Sequence, residues 1–115
     1  MKELALAICI ASMAPAAFAE TIAACDAAAH IGQIVPVEGP VDEAHHAASG
    51  RATFLDMGGQ YPNNCLAIVM FSDDQSKSPN VDALEAKTVD ITGMIKSYRG
   101  RPEIILNDPP QLKTK

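Results

Sequence analysis

The sequence has no excess of basic residues: its 115 residues include 9 Lys and Arg against 14 Asp and Glu, for a formal net charge of −5. This balance excludes the strongly basic kind of nucleic-acid-binding protein. No internal period is present, which excludes collagen, coiled coils and repeat arrays. Tryptophan is absent, and aromatic residues amount to only 4% of the chain. The length allows one small domain.

Motifs of the common enzyme classes are also missing. No serine lies in a nucleophile elbow, no glycine-rich loop could cradle phosphates, and no two cysteines form a CxxC pair. Asp56 and Asp90 fall on predicted strands, but their spacing gives no reason to pair them. We therefore expect a protein that is not an enzyme and that uses no cofactor.

The first residues have the pattern of a secretion signal. An uncharged, mostly apolar run from Leu4 to Ala19 ends in small residues at Ala17 and Ala19, the two positions that a signal peptidase needs. The run is too short, with Pro15 near its end, to span a membrane as a helix. Residues 1–19 are therefore predicted to be a signal peptide, and the mature chain is predicted to be periplasmic or secreted, without a transmembrane segment.

Two cysteines, Cys25 and Cys65, remain once Cys9 leaves with the signal. In an oxidising compartment an intramolecular disulfide is the simplest use of such a pair, and closing a loop of about 40 residues would contribute ~3–4 kcal/mol. An alternative is a lipid anchor on Cys25, because Ile22-Ala23-Ala24-Cys25 has the small-residue pattern of a lipoprotein processing site. The disulfide and the lipid compete for the same sulfur.

Hydrophobic alternation predicts a β-rich domain after a lead-in segment over residues 20–29. Strands are expected over residues 30–38, 51–57, 65–71, 87–95 and 103–107, with a loop over 39–50 and a tight turn over 96–102. Gly93 in the fourth strand indicates a bulge or a sharp bend. A short helix is predicted over Pro79–Ala86, with Ser78 as its N-cap.

Three strands, a short helix and two further strands form the chain order of the OB-fold, a five-stranded Greek-key barrel. We therefore predict an all-β OB-fold barrel over residues 30–112, with a short helix between the third and fourth strands and a polar tail at residues 113–115. A β-sandwich would need about seven strands, whereas the pattern yields five.

Several motifs resemble those of small secreted bacterial OB-fold proteins. They are Thr53-Phe54-Leu55-Asp56-Met57-Gly58, Tyr61-Pro62-Asn63, Val89-Asp90-Ile91-Thr92-Gly93 and Tyr98-Arg99-Gly100-Arg101-Pro102-Glu103-Ile104. The resemblance covers roughly residues 30–112 and places the chain among nucleic-acid-binding OB domains, which include the tRNA-anticodon-binding type. It implies single-stranded nucleic acid or an oligonucleotide as the ligand. The chain departs from the stronger nucleic-acid binders in having few aromatic residues on its strands.

The candidate binding residues lie around the turn before the last predicted strand. Residues 87–115 hold six basic and three acidic side chains, whereas residues 20–86 hold two and ten. In the basic segment a base could stack on Tyr98, with Lys96, Arg99 and Arg101 available for its phosphate. Tyr61 is either a further platform for the ligand or part of a rigid turn. The 96–102 turn could equally be a solvated hairpin whose arginines pair with nearby acids.

Three histidines are weak candidates for metal ligands. His45 and His46 follow Asp42 and Glu43, and His30 could supply a third imidazole. Adjacent histidines on a strand point apart, however, and no spacing typical of a metal site is present, so no metal site is predicted.

The sequence thus predicts a monomeric, exported binding module for single-stranded nucleic acid. The alternative is a stress-associated periplasmic domain that binds a protein, an oligosaccharide or another small ligand, which the acidic net charge and the compartment favour. A metal-binding loop at the histidines is a third hypothesis.

Overall fold

The computed structural model describes residues 20–75 and 81–115. The predicted signal peptide, with Cys9, lies outside these residues. Seven strands are present: β1 (Ile34–His46), β2 (Ala52–Met57), β3 (Leu66–Phe71), β4 (Thr88–Met94), β5 (Lys96–Tyr98), β6 (Arg101–Ile105) and β7 (Leu112–Thr114). They form one sheet in the order β5-β6-β3-β2-β1-β4-β7, in which only the β3–β6 pair of the described strands is parallel.

The strand β1 is longer than predicted because it continues through the segment expected to be a loop. Its first half, Ile34–Pro40, pairs with β4, and its second half pairs with β2. Pro40, which has no N–H to donate, stands where the pairing with β4 ends. A register shift between Val41 and Glu43 marks the irregularity at which β1 passes from one partner to the other.

The sheet has seven strands and does not close into a barrel, so the predicted five-stranded Greek-key barrel is not confirmed, while the predominantly β architecture is confirmed. The sequence predicts one strand over residues 87–95, but β4 ends before Ile95 and β5 follows it at the opposite edge of the sheet. The Ile95 backbone bonds instead to Gly32 and Gln33, at 2.7 and 3.0 Å. The predicted tail supplies β7, which pairs with β4.

The predicted helix over Pro79–Ala86 is not confirmed. Ser78 and Pro79 lie outside the described residues, and Val81–Leu84 form a single 3₁₀ turn. Ala86 has a φ of 72°, which ends any helical geometry before it. A short helix, α1 (Ser72–Gln75), occurs instead directly after β3.

Gly93 lies in a regular part of the sheet, not at the predicted bulge. It pairs with Val35 in an unbroken register between β1 and β4. A Cβ atom at this position would lie 2.8 Å from Ile104 Cγ2 and 3.0 Å from Gln111 Nε2. The glycine therefore allows β4 to be approached closely by these two side chains.

A disulfide and an aliphatic core hold the fold together. Cys25 and Cys65 are bonded, as predicted, with their Cα atoms 4.8 Å apart, and this bond ties the 3₁₀ helix Ala24–His30 to the start of β3. Closing the loop of 40 residues contributes ~3–4 kcal/mol to stability. Fully buried side chains from five strands form the core: Val37, Val41, Leu55, Met57, Leu66, Ile68, Ile91 and Ile104.

Gly58 is required by the packing against the disulfide. Its φ is +74°, and a Cβ atom would lie 2.7 Å from Cys65 Cβ and 2.8 Å from Cys25 Sγ. We expect Gly58→Ala to lower the free energy of unfolding by about 2–4 kcal/mol, because backbone strain and overpacking add. Gly50→Ala is the matched control, since Gly50 has a φ of +76° and open space around it. Urea unfolding of both variants measures the difference, and equal losses would contradict the packing argument.

Candidate functional site

A cavity of about 360 Å³ opens on one face of the sheet, beside the turn that joins β5 and β6. Its size is in the range of pockets that bind small ligands. Three aromatic side chains, Phe54, Tyr61 and Tyr98, and two guanidinium groups, Arg99 and Arg101, line it. Tyr61 and Tyr98 are 62% and 56% exposed, so their rings are accessible to a ligand.

The floor of the cavity is one row of residues across three paired strands. Asp56 on β2 is opposite Ala67 on β3, which is opposite Glu103 on β6. Adjacent strands lie about 4.8 Å apart, so the two acidic residues stand roughly 10 Å apart on the same face. The methyl group of Ala67 between them leaves the floor open.

Asp56 is almost completely buried, at 1% exposure, and belongs to a polar network. Asn64 donates a hydrogen bond from Nδ2 to Asp56 Oδ1 at 3.2 Å. His45 Nε2 lies 2.9 Å from Asp56 Oδ2, at ion-pair distance but without the alignment of a full hydrogen bond. Burial raises the pKa of the Asp56 carboxyl, and the nearby His45 opposes part of that rise.

The two adjacent histidines point to opposite faces of β1. The His45 ring stacks on Phe54, with centroids 5.0 Å apart, and faces the cavity. His46 Nδ1 contacts Thr53 Oγ1 at 2.9 Å, and its Nε2 contacts Asp82 at 3.0 Å. His30 is bonded elsewhere, to Gln33. The structure therefore does not bring the three imidazoles together, and residues 20–75 and 81–115 contain no group of three metal-ligating side chains.

Arg101 holds the outer wall of the cavity. Its Nη2 donates hydrogen bonds to Pro62 O at 2.7 Å and to Asn64 Oδ1 at 2.6 Å. The guanidinium also lies 5.2 Å from the centroid of the Tyr61 ring. The Tyr61–Pro62 peptide bond is cis. The segment is thus a turn that Arg101 fixes, and it places the Tyr61 ring in the lining of the cavity.

Arg99 is placed differently, in a tight turn between β5 and β6. Its φ is 53° and that of Gly100 is 79°, the pattern of a two-residue hairpin turn. A non-glycine residue in this region carries about 1–3 kcal/mol of strain. The Arg99 guanidinium lies 5.2 Å from the centroid of the Tyr98 ring, and within the described chain it makes no hydrogen bond.

Glu103 completes the floor beside this turn. Burial raises the pKa of its carboxyl, and the charge of Lys96 opposes the rise. Lys96 is the partner of Glu103 in the β5–β6 register, which places it at the edge of the cavity and not in its lining. Four of the five predicted binding residues thus meet in the cavity, with Lys96 beside them.

Sequence reasoning missed the acidic floor. Asp56 and Glu103 lie within the quoted motifs but carry no signal of an acidic pair, because they come into one row only through the parallel pairing of β3 with β6. Asn64 joins them through its hydrogen bond to Asp56. His45 was considered only as a metal ligand, because its segment was expected to be a loop. The alternation of Glu43 and His45 within β1 is the signal that could have placed His45 on this face.

Comparisons with known proteins support the fold. No family model and no curated protein matches this chain. A crystal structure described as a "putative aspartyl-tRNA synthetase from Leishmania major Friedlin" is similar, with a TM-score of 0.57 and 10% sequence identity. The similarity covers 90% of this chain and 22% of that chain, so this chain spans about a fifth of that protein's length. At this level of identity the similarity supports a shared fold and nothing beyond it.

The buried carboxyl of Asp56 makes stability depend on pH. Because its pKa in the folded state is raised above 3.8, the protonated form favours folding, and this contribution is lost as the pH rises through the folded-state pKa. Asp56→Asn mimics the protonated form. We expect the stability of this variant, relative to that of the unsubstituted protein, to be greater at about pH 7 than at about pH 4.

Urea unfolding at several pH values measures this effect. Asp73→Asn, the same substitution at an exposed position, is the control. An unaltered profile in Asp56→Asn would show that the carboxyl does not titrate differently in the folded state.

Proposed function

We propose that this chain is an exported, non-enzymatic binding module for single-stranded nucleic acid. The observation that carries the proposal is the cavity in which two exposed tyrosines stand together with Arg99, whose guanidinium lies over Tyr98 and makes no hydrogen bond within the described chain. A nucleobase has two faces that stack on aromatic rings, and such stacking contributes ~1–3 kcal/mol per base. Tyr98 and Tyr61 supply the rings, and Arg99 supplies the positive charge for the adjoining phosphate.

The position of the cavity supports the same function. OB-fold proteins bind oligonucleotides over the face of their second and third strands and the neighbouring loops. Here the floor lies on β2, β3 and β6, and the β5–β6 turn forms one side. The similar crystal structure is that of a protein named as an aspartyl-tRNA synthetase, a name that contains a nucleic acid.

The net charge of −5 does not prevent such binding. At physiological ionic strength the Debye length is about 8 Å, so acidic side chains farther away are largely screened. The charges at the cavity then determine the interaction with a phosphate. Lys96, Arg99 and Arg101 supply three positive charges there, against the carboxyl groups of Asp56 and Glu103. The acidic field will slow association at low salt more than it weakens the final contacts.

The disulfide supports export. Disulfides persist in oxidising compartments and are rare in the cytosol. A lipid on Cys25 would need the sulfur that is bonded to Cys65, so the unanchored form is the one we propose. No helix within residues 20–75 and 81–115 has the length and apolar character to cross a membrane.

Arg99→Asn is the sharpest test of the proposed contact. Asparagine adopts a positive φ more easily than arginine, so this variant should be at least as stable as the unsubstituted protein while it loses the charge. We expect fluorescence anisotropy with a labelled single-stranded oligonucleotide to show weaker binding. We also expect the negative slope of log K against the logarithm of the salt concentration to become shallower by about one.

Arg51→Asn is the control, because Arg51 is exposed and lies outside the cavity. It should change affinity much less than Arg99→Asn does. Absence of binding by the unsubstituted protein even at low salt would overturn the proposal. That result would favour a protein, an oligosaccharide or another small molecule as the ligand.

A further inference from the structure

We infer that the cavity selects a nucleobase that presents adjacent N–H donors, with guanine as the preferred base and Glu103 as the residue that reads it. This inference rests on the proposed function, since it names the base that the proposed stacking site accepts. It comes from a difference between the two acidic residues on the floor.

Asp56 is held by neighbouring side chains, whereas the Glu103 side chain makes no hydrogen bond within the described chain and has only the charge of Lys96 near it. Asn64 donates to one oxygen of Asp56, and His45 lies against the other. Within the described chain, Glu103 has no hydrogen-bond or ion-pair partner, although it lines the cavity and is partly withdrawn from water. A carboxylate in this position gains a favourable interaction when a ligand brings N–H donors to it.

The walls and floor determine which donors can reach this carboxylate. A ring stacked on Tyr98 would be held next to β6, because Tyr98 pairs with Arg101, two residues from Glu103 on the same strand. Ala67 has no side chain long enough to occupy the floor between Asp56 and Glu103. The edge of the base can therefore approach the Glu103 oxygens directly.

Guanine matches a carboxylate better than the other bases do. Its N1–H and N2–H₂ groups are adjacent donors and can meet the two oxygens of one carboxylate. Thymine and uracil have one N–H between two carbonyl oxygens, which a carboxylate repels. Cytosine and adenine offer only an amino group beside a ring nitrogen that is an acceptor. A bidentate contact of this kind discriminates between bases by roughly 10–100-fold.

The test measures the affinity of the oxidised protein for labelled single-stranded oligothymidylates with one central guest base. We expect dG to bind roughly tenfold or more tightly than dT. Replacing guanine by hypoxanthine removes only the N2 amino group, and we expect most of the preference to be lost. Glu103→Gln should reduce the preference for dG over dT to within about threefold while affinity for the all-thymine strand is retained, which also shows that the variant is folded.

Glu38→Gln is the matched control, because Glu38 pairs with Lys115 and lies outside the cavity. It should keep the preference for dG. Equal affinity for all guest bases, or a preference that survives in Glu103→Gln, would overturn the inference and leave the proposed function standing. If no oligonucleotide binds, the proposed function fails, and the inference fails with it.

Discussion

The cavity depends on the hydrogen bonds of one guanidinium. Arg101 joins β6 to the segment that follows β2, because its Nη2 serves both Pro62 O and Asn64 Oδ1. Asn64 in turn donates to Asp56, so the polar chain continues from the rim of the cavity to its buried floor. Charge-assisted bonds of this kind are stronger than neutral ones, and loss of one member leaves the others unsatisfied. The position of Tyr61 and the environment of Asp56 are therefore set by the same side chain.

Two acidic residues in one row of the sheet have different surroundings. Asp56 is almost completely buried, with a hydrogen bond from Asn64 and with His45 beside it, and burial still raises the pKa of its carboxyl. Glu103 is less buried, its side chain makes no hydrogen bond within the described chain, and the charge of Lys96, its neighbour in register, opposes the effect of burial on its pKa. Domains of this size are stable by only about 5–15 kcal/mol, so a partly buried carboxylate without a hydrogen bond is a notable cost. Its presence in a cavity is explained best by a ligand that satisfies it.

Much of the secondary structure could be predicted from local patterns, because alternation in Val35 and Val37 and the apolar run of β3 are signals within single segments. Two features could not be predicted that way. The end of β4 before Ile95, where one longer strand was predicted, depends on backbone hydrogen bonds from Ile95 to Gly32 and Gln33, more than 60 residues away in sequence. The acidic floor depends on β3 pairing with β6, which no alternation reveals. The hairpin residues Tyr98, Arg99 and Arg101 were found because they share one short basic turn. Monomeric state and the signal peptide stay predictions.

The two arginines of this turn have opposite roles, although only Gly100 separates them. Arg101 is held by Pro62 and Asn64, whereas Arg99 has its guanidinium over Tyr98 and its backbone in a conformation that arginine seldom adopts. Strain of this kind persists where the rest of the structure imposes it, and it is common at functional sites. A substitution at Arg101 disturbs the wall as well as the charge, so a loss of affinity there reports on the shape of the cavity. A substitution at Arg99 removes a positive charge without removing a contact of the cavity wall. The two arginines therefore have to be tested separately, because only Arg99 separates the effect of charge from the effect of cavity shape.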